Sequence, residues 1–234
     1  MTETHILVIN PNTTASMTEK IGAAARAAAG PTSRITAINP QEGPAAIQGP
    51  ADGEAALPGL FDLFARAVNA NPGISAVVIA CFDDTGLWEL KAQSHVPVIG
   101  IGEAAYHVAS VAAPKFSVVT TLPVSVPVLE DNLVRTGLAG RCAKVRAARV
   151  PVLDLEDPTS DARLRIEREI ETALKEDGIG AIALGCAGMA DLAADLTERF
   201  GVPVIDGVTS AVRLSETLAW SGFRLIAPVP DPAV

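Results

Sequence analysis

With 234 residues, the chain can bury a sizeable core, either as one large α/β domain or as two lobes of about 100 residues each. Its formal net charge of −9, with no basic stripe, argues against nucleic acid or an anionic membrane surface as a partner. A hydrophobic fraction of 49% with only 4% aromatic residues describes a core of Ala, Val, Ile and Leu, which suits parallel strands covered by helices on both faces.

The first ten residues, MTETHILVIN, lack a basic n-region and run straight into a predicted strand over 6–10, so no signal peptide is expected. The turn Pro11-Asn12-Thr13-Thr14 opens a helix through about Ala29, with Asn12 or Thr13 as its N-cap. A second strand is expected over 33–39. Residues 40–53, rich in Pro and Gly, are too long for a mere connection and read as a loop that reaches over a ligand. A helix over 54–70 precedes a strand that ends at Cys81, and a helix over 85–93 follows it. Strand 98–101 and helix 102–112 come next. The second half repeats the order: strand 115–120, helix 124–136, strand 144–150, helix 160–176, strand 180–185, helix 189–199, strand 204–205 and helix 208–219. Such alternation predicts parallel sheets with the ligand at the carboxyl ends of their strands.

Two stretches organise this order, AVVIACFDDTG with Cys81 and AIALGCAGMAD with Cys186. In each, a buried apolar run stops at a cysteine followed by small or polar residues, which delivers a thiol to a strand end. Sixteen residues separate Cys81 from Pro97 in VPVIGI, and seventeen separate Cys186 from Pro203 in VPVIDG. Upstream, ILVINPNTT has a counterpart in FSVVTTLPVS, seventy-one residues from Asn10 to Cys81 and sixty-six from Thr120 to Cys186. This spacing predicts an internal duplication, with a first lobe of residues 1–97 plus 208–234, a second of 98–207 and the site in the cleft between them.

Inverting a carbon stereocentre through a carbanion needs a base on one face and an acid on the other, and two identical residues from two like lobes meet that need. A thiol, with an ordinary pKa of about 8.5, is suited to the role beside a helix start. Paired closely, two thiols titrate together and favour one thiolate at a time. Cys142 lies outside the duplicated positions and reads as a small core residue. Asp83 and Asp84, just before a helix, read as dipole-complementing caps, with polarising or orienting the site as the alternative role. Asn10 and Asn12 divide evenly between turn-forming and ligand-contacting roles.

The motifs INPNTT, ACFDDTG, VVTTLPVSV, ALGCAGMA and VPVIDGV together resemble the hydantoin racemase branch of the aspartate/glutamate racemase superfamily, over residues 6–220. The resemblance implies a cofactor-independent racemase of two pseudo-symmetric lobes, with Cys81 and Cys186 as the catalytic thiols. It implies polar cleft positions at Asn10, Thr120 and Thr121. In a hydantoin the reacting carbon lies beside a carbonyl, so the carbanion becomes an enolate. Backbone N–H groups after the cysteines, at Phe82, Ala187 and Gly188, and the two threonine hydroxyls are the expected donors to its oxygen. Phe82 and Ile47 are the expected apolar wall for the C5 substituent.

Other readings stay open: allantoin racemisation, racemisation of a free amino acid, decarboxylation or cis-trans isomerisation on the same scaffold, a silent small-ligand binding protein, and a redox protein using the two cysteines as a disulfide. No cofactor is expected, since GxGxxG and GxxxxGK[ST] are absent and no lysine looks like a buried Schiff base. His5, His95 and His107 do not recur at matching positions and nothing resembles HExxH, so no metal is expected. Apolar runs well short of about 20 residues predict no membrane span. Three cysteines without CxxC spacing fit a reducing cytoplasm. A homo-oligomer is expected, with the apolar stretch 22–29 as a candidate contact.

Overall fold

A computed structural model describes residues 3–222. The first half runs β1 (Thr4–Ile9), α1 (Ala15–Ala28), β2 (Ser33–Ile38), α2 (Pro50–Ala70), β3 (Ile74–Ile79), α3 (Leu87–Gln93), β4 (Val98–Gly100) and α4 (Ile101–Ala112). The second runs β5 (Phe116–Thr120), α5 (Val126–Arg135), β6 (Cys142–Ala147), α6 (Ala162–Glu176), β7 (Ala181–Gly185), α7 (Ala193–Phe200), β8 (Val204–Asp206) and α8 (Gly207–Trp220). Short 3-10 turns occupy Pro123–Ser125, Val152–Leu155 and Ala187–Leu192. Two parallel sheets result, β2-β1-β3-β4 and β6-β5-β7-β8, so the second repeats the strand order of the first.

The strands read as unbroken apolar runs because both of their faces are covered. Ile6 and Val8 enter a central cluster that also takes Val78, Val118 and Ala183. Leu7 and Ile9, one residue out of step, join Val77 and Ile79 under Leu60 of α2 and Leu90 of α3. The second sheet does the same with Val119, Ile182 and Leu184 beneath Ile166 of α6 and Leu196 of α7. This is the two-residue alternation of a strand, with apolar partners on either side.

The last helix of each half crosses over. α4 packs on β7 and β8 of the second sheet, α8 packs on β1 and β3 of the first, and the two lie against each other. The division expected from the sequence returned residues after 207 to the first lobe; of these, 223–234 lie outside the described residues. It also put 98–100 in the second lobe, whereas β4 hydrogen-bonds to β3 and stays in the first sheet.

Several boundaries differ from expectation for local reasons. α2 starts at Pro50, earlier than 54, because a proline at the first helical position costs no hydrogen bond and Asp52 accepts from the Gln48 N–H at 3.0 Å. α3 starts at Leu87 because Asp84 (φ 52°) and Gly86 (φ 69°) are left-handed. β6 ends at Ala147, short of 150, where Arg149 also turns left-handed (φ 59°). The stretch 22–29 turns its apolar side inward: a Cβ on Gly22 would touch Ala37 of β2, and Ala25 and Ala28 are buried. Ala23 and Ala27, on the opposite side of the helix, stay exposed.

Candidate active site

β1, β3, β5 and β7 are the central strands of their sheets, and their carboxyl ends face one cleft. Cys81 follows β3 and Cys186 follows β7, and both thiols line one cavity. Locally the two are built alike. The N–H of Asp83 points back to the Cys81 sulfur, and the N–H of Gly188 to the Cys186 sulfur. Each chain turns sharply after its cysteine, with Asp84 N–H bonded to the Cys81 carbonyl at 3.0 Å and Met189 N–H to the Cys186 carbonyl at 3.1 Å. One difference separates them: the Thr85 hydroxyl lies 3.5 Å from the Cys81 sulfur.

Burial dominates the electrostatics. It pushes the Cys81 thiol far above its ordinary range, helped by the Asp83 carboxylate and, to a smaller extent, by Cys186; Thr85 and the Asp83 N–H oppose it. Burial likewise pushes Cys186 up to about 11, against the Gly188 N–H. It raises Asp83 to about 6, although the Ser125 hydroxyl and the Gly49 N–H both stabilise the carboxylate. Burial thus favours the protonated form of both thiols at neutral pH, and of the three groups Asp83 ionises first.

Of the residues expected at the site, Ile47, Phe82, Thr121 and Ala187 line the cavity with the two cysteines. Asn10, Thr120 and Gly188 do not. Asn10 donates to Asn12 Oδ1 at 2.8 Å and Thr18 Oγ1 at 2.9 Å, and so builds the turn that presents Asn12 to the cavity in its place. Thr120 donates to the Gly185 carbonyl at 2.9 Å and ties β5 to β7 beneath the site. Gly188 acts through its N–H on the Cys186 sulfur. Asp84 is a cap, but of α4: its carboxylate accepts from Gly102 N–H at 3.0 Å and Glu103 N–H at 2.7 Å. Asp83 faces the cavity instead. Met17, Ser125 and Val152 also line it, beside the strand-end residues Ala80 and Gly185, and sequence reasoning passed over Met17, Ser125 and Val152. Ser125 stands in the quoted stretch FSVVTTLPVS and was within reach, whereas Val152, in a 3-10 turn after an edge strand, carries no local signal.

The loop 40–49 supplies Ile47 and is held to both lobes. Thr13 N–H bonds to the Pro44 carbonyl at 3.0 Å and the Thr14 hydroxyl to the Ala45 carbonyl at 2.6 Å. On the far side Gln48 Oε1 accepts from Val152 N–H at 2.9 Å. Lys20 of α1 adds a second tie, reaching the Asp191 carboxylate at 3.3 Å. Cys142, at the start of β6, is half-buried against the central cluster and away from the cavity. Among the described residues no helix is long and apolar enough to cross a membrane.

Two like α/β lobes that each deliver a cysteine from a central strand into one shared cavity define a pseudo-symmetric, paired-thiol class of protein. Over residues 6–215 the sequence matches the family described as Asp/Glu/Hydantoin racemase, and the chain belongs to that family. It is 45% identical over 219 residues to the hydantoin racemase of Rhizobium meliloti, covering 94% of this chain and 90% of that protein. Against the hydantoin racemase of Pseudomonas sp. (strain NS671) it is 41% identical over 220 residues, covering 94% and 87%. The solved allantoin racemase from Klebsiella pneumoniae superposes with a TM-score of 0.91 at 44% identity, covering 95% of this chain and 90% of that one. The protein is an isomerase of the racemase type.

Proposed function

We propose that the protein racemises 5-substituted hydantoins without a cofactor, Cys81 and Cys186 serving as base and acid on opposite faces of C5. The observation that carries this reading is the matched pair: one cysteine per lobe, each with the N–H two residues on aimed at its sulfur, in one cavity. One thiolate takes the C5 proton while the opposite thiol gives its own to the other face, and the roles exchange for the other enantiomer. The N–H groups after the cysteines and the Thr121 hydroxyl are the donors for the enolate oxygen. Because a charge on one sulfur raises the other thiol by like-charge repulsion, the two do not ionise together, and one thiolate facing one thiol is the protonation state the reaction uses.

Allantoin, a hydantoin ring carrying a ureido group at C5, is a second reading, favoured by the likeness to the solved allantoin racemase. The wall supports either substituent, with Met17, Ile47 and Val152 beside Asn12 and Ser125. We place the reaction in a reducing cytoplasm, consistent with three free cysteines. We also read the protein as a homo-oligomer, supported by the 88% exposed Val111 on α4 and the 67% exposed Val134 on α5.

The test follows loss of optical rotation and α-proton exchange in heavy water for single enantiomers of 5-benzylhydantoin, allantoin and aspartate. Racemisation of the hydantoin without additives supports the reading, and activity on aspartate alone defeats it. Cys81→Ser and Cys186→Ser should each lower racemisation by at least about 10³-fold, in line with loss of a general acid or base. Full activity in either variant ends the two-thiol mechanism.

A further inference from the structure

We infer that Asp83 is the specificity-determining residue of this cavity, accepting a hydrogen bond from a ring N–H of a neutral substrate and disfavouring substrates that carry a carboxylate at the reacting carbon. The inference rests on the hydantoin reading and deepens it.

Among the described residues that line the cavity, Asp83 alone has a formally charged side chain; no Arg, Lys or His is there. Lys20 and Glu156 are felt by Cys186 but do not line the wall. Asp83 is also held in place from three sides. Ser125 of the second lobe donates to Oδ2 at 3.1 Å, Gly49 of the loop donates its N–H to the carboxylate, and Asn132 of α5 donates to the main-chain carbonyl at 2.8 Å. Two of these bonds fix the carboxylate and the third fixes the backbone that carries it.

An ionised carboxylate offers about four lone-pair sites. Ser125 and Gly49 use two, which leaves acceptor capacity for a ligand. A hydantoin ring brings two N–H donors and no formal charge, so it satisfies that capacity while its carbonyl turns to the N–H groups beside the sulfurs. A hydrogen bond to a charged group corresponds to roughly 10- to 100-fold in affinity. A free amino acid or a ring-opened carbamoyl acid brings a second carboxylate into the same poorly solvated space, where like charges repel strongly.

The test measures binding by titration calorimetry for racemic 5-benzylhydantoin, its 1-methyl and 3-methyl derivatives and N-carbamoylphenylalanine, on the wild type and on Asp83→Asn. Racemisation is followed in parallel. Methylation at one of the two ring nitrogens should weaken binding to the wild type by roughly 10- to 100-fold. Asp83→Asn should weaken binding of the parent ring by about tenfold, lose most of the penalty for that methyl group, and bind the carbamoyl acid more tightly than the wild type does. The lost methyl penalty is a change that a merely structural role for Asp83 does not produce.

If both methylated rings bind the wild type as well as the parent does, the proposal falls, and that outcome needs no variant. Equal methyl sensitivity in the wild type and Asp83→Asn overturns it too. A wild type that binds the ring with the expected pattern but does not racemise it sinks the reading of function and leaves this one standing. Absence of ring binding overturns both.

Discussion

Cys81, Cys186 and Asp83 share one poorly solvated space, and their ionisations oppose one another. Cys186 is raised to about 11 and Cys81 further, so the thiolate is a minor form at neutral pH. Raising the pH recruits it, and kcat/KM should climb about tenfold per pH unit between roughly pH 7 and pH 9, as initial rates would show; a flat profile contradicts the raised thiols. Asp83 has a consequence for stability as well. Its native pKa of about 6 lies above the ordinary 3.8, so the folded state holds that proton more tightly than the unfolded chain. Stability therefore falls as the pH rises through that window and the full cost persists above it. Asp83→Asn should raise the unfolding free energy by about 1–3 kcal/mol near pH 8, with the gain vanishing below about pH 4, as thermal unfolding at the two pH values would show. A residue that costs stability and faces the cavity is the trade-off expected where function fixes the choice.

At the scale of elements, the site depends on how closely α4 and α8 start against the strand-end loops. A Cβ on Gly102 would collide with the Phe82 carbonyl oxygen, and one on Gly207 with the Ile101 carbonyl oxygen. Gly102 thus meets the loop after Cys81 and Gly207 the first turn of α4; aligned on VPVI, Gly102 stands opposite Val208 and Gly207 opposite Ile101, so the two close approaches are not copies of one another. Asp84 and Asp206 then supply the caps, the first to α4 from a separate loop and the second to its own helix through Thr209 N–H at 2.7 Å. Gly102→Ala should destabilise the protein by about 1–3 kcal/mol, seen as a lower urea midpoint with an unchanged slope. Since backbone is what yields, Phe82 moves with it, and racemisation should fall more than stability explains.

For the whole molecule, the cavity exists only where the two lobes and the loop 40–49 meet. That loop is bonded to α1 on one side and to Val152 on the other through Gln48. Gln48→Ala removes the tie to the second lobe alone. Hydrogen exchange of peptides spanning residues 40–49 and 150–155 should then accelerate about fivefold or more, while the global urea midpoint shifts by no more than about 1 kcal/mol in equivalent stability. Unchanged exchange would mean that the bonds to Thr13 and Thr14 suffice to hold the loop.

The amino-acid order alone determined the alternation of strands and helices, the twofold repeat and the two cysteines, because each is a local pattern: an apolar run, a turn, a fixed interval. Even the sulfur-directed N–H groups follow from the turn after each strand. Which neighbour of a pair lines the cavity was decided elsewhere. Asn10 and Asn12 are both polar and both follow β1, yet the first spends its amide on the turn and the second lines the cavity. Thr120 and Thr121 differ by one step along a chain whose side chains alternate in direction, and Asp83 and Asp84 part because Asp84 is left-handed (φ 52°). The exchange of α4 and α8 between lobes, and the arrival of Ser125 and Val152 from the second half, belong to the docking of the two sheets. Local patterns record which faces are buried; only tertiary packing decides against what, since the partner across the cleft lies a hundred residues away in the chain.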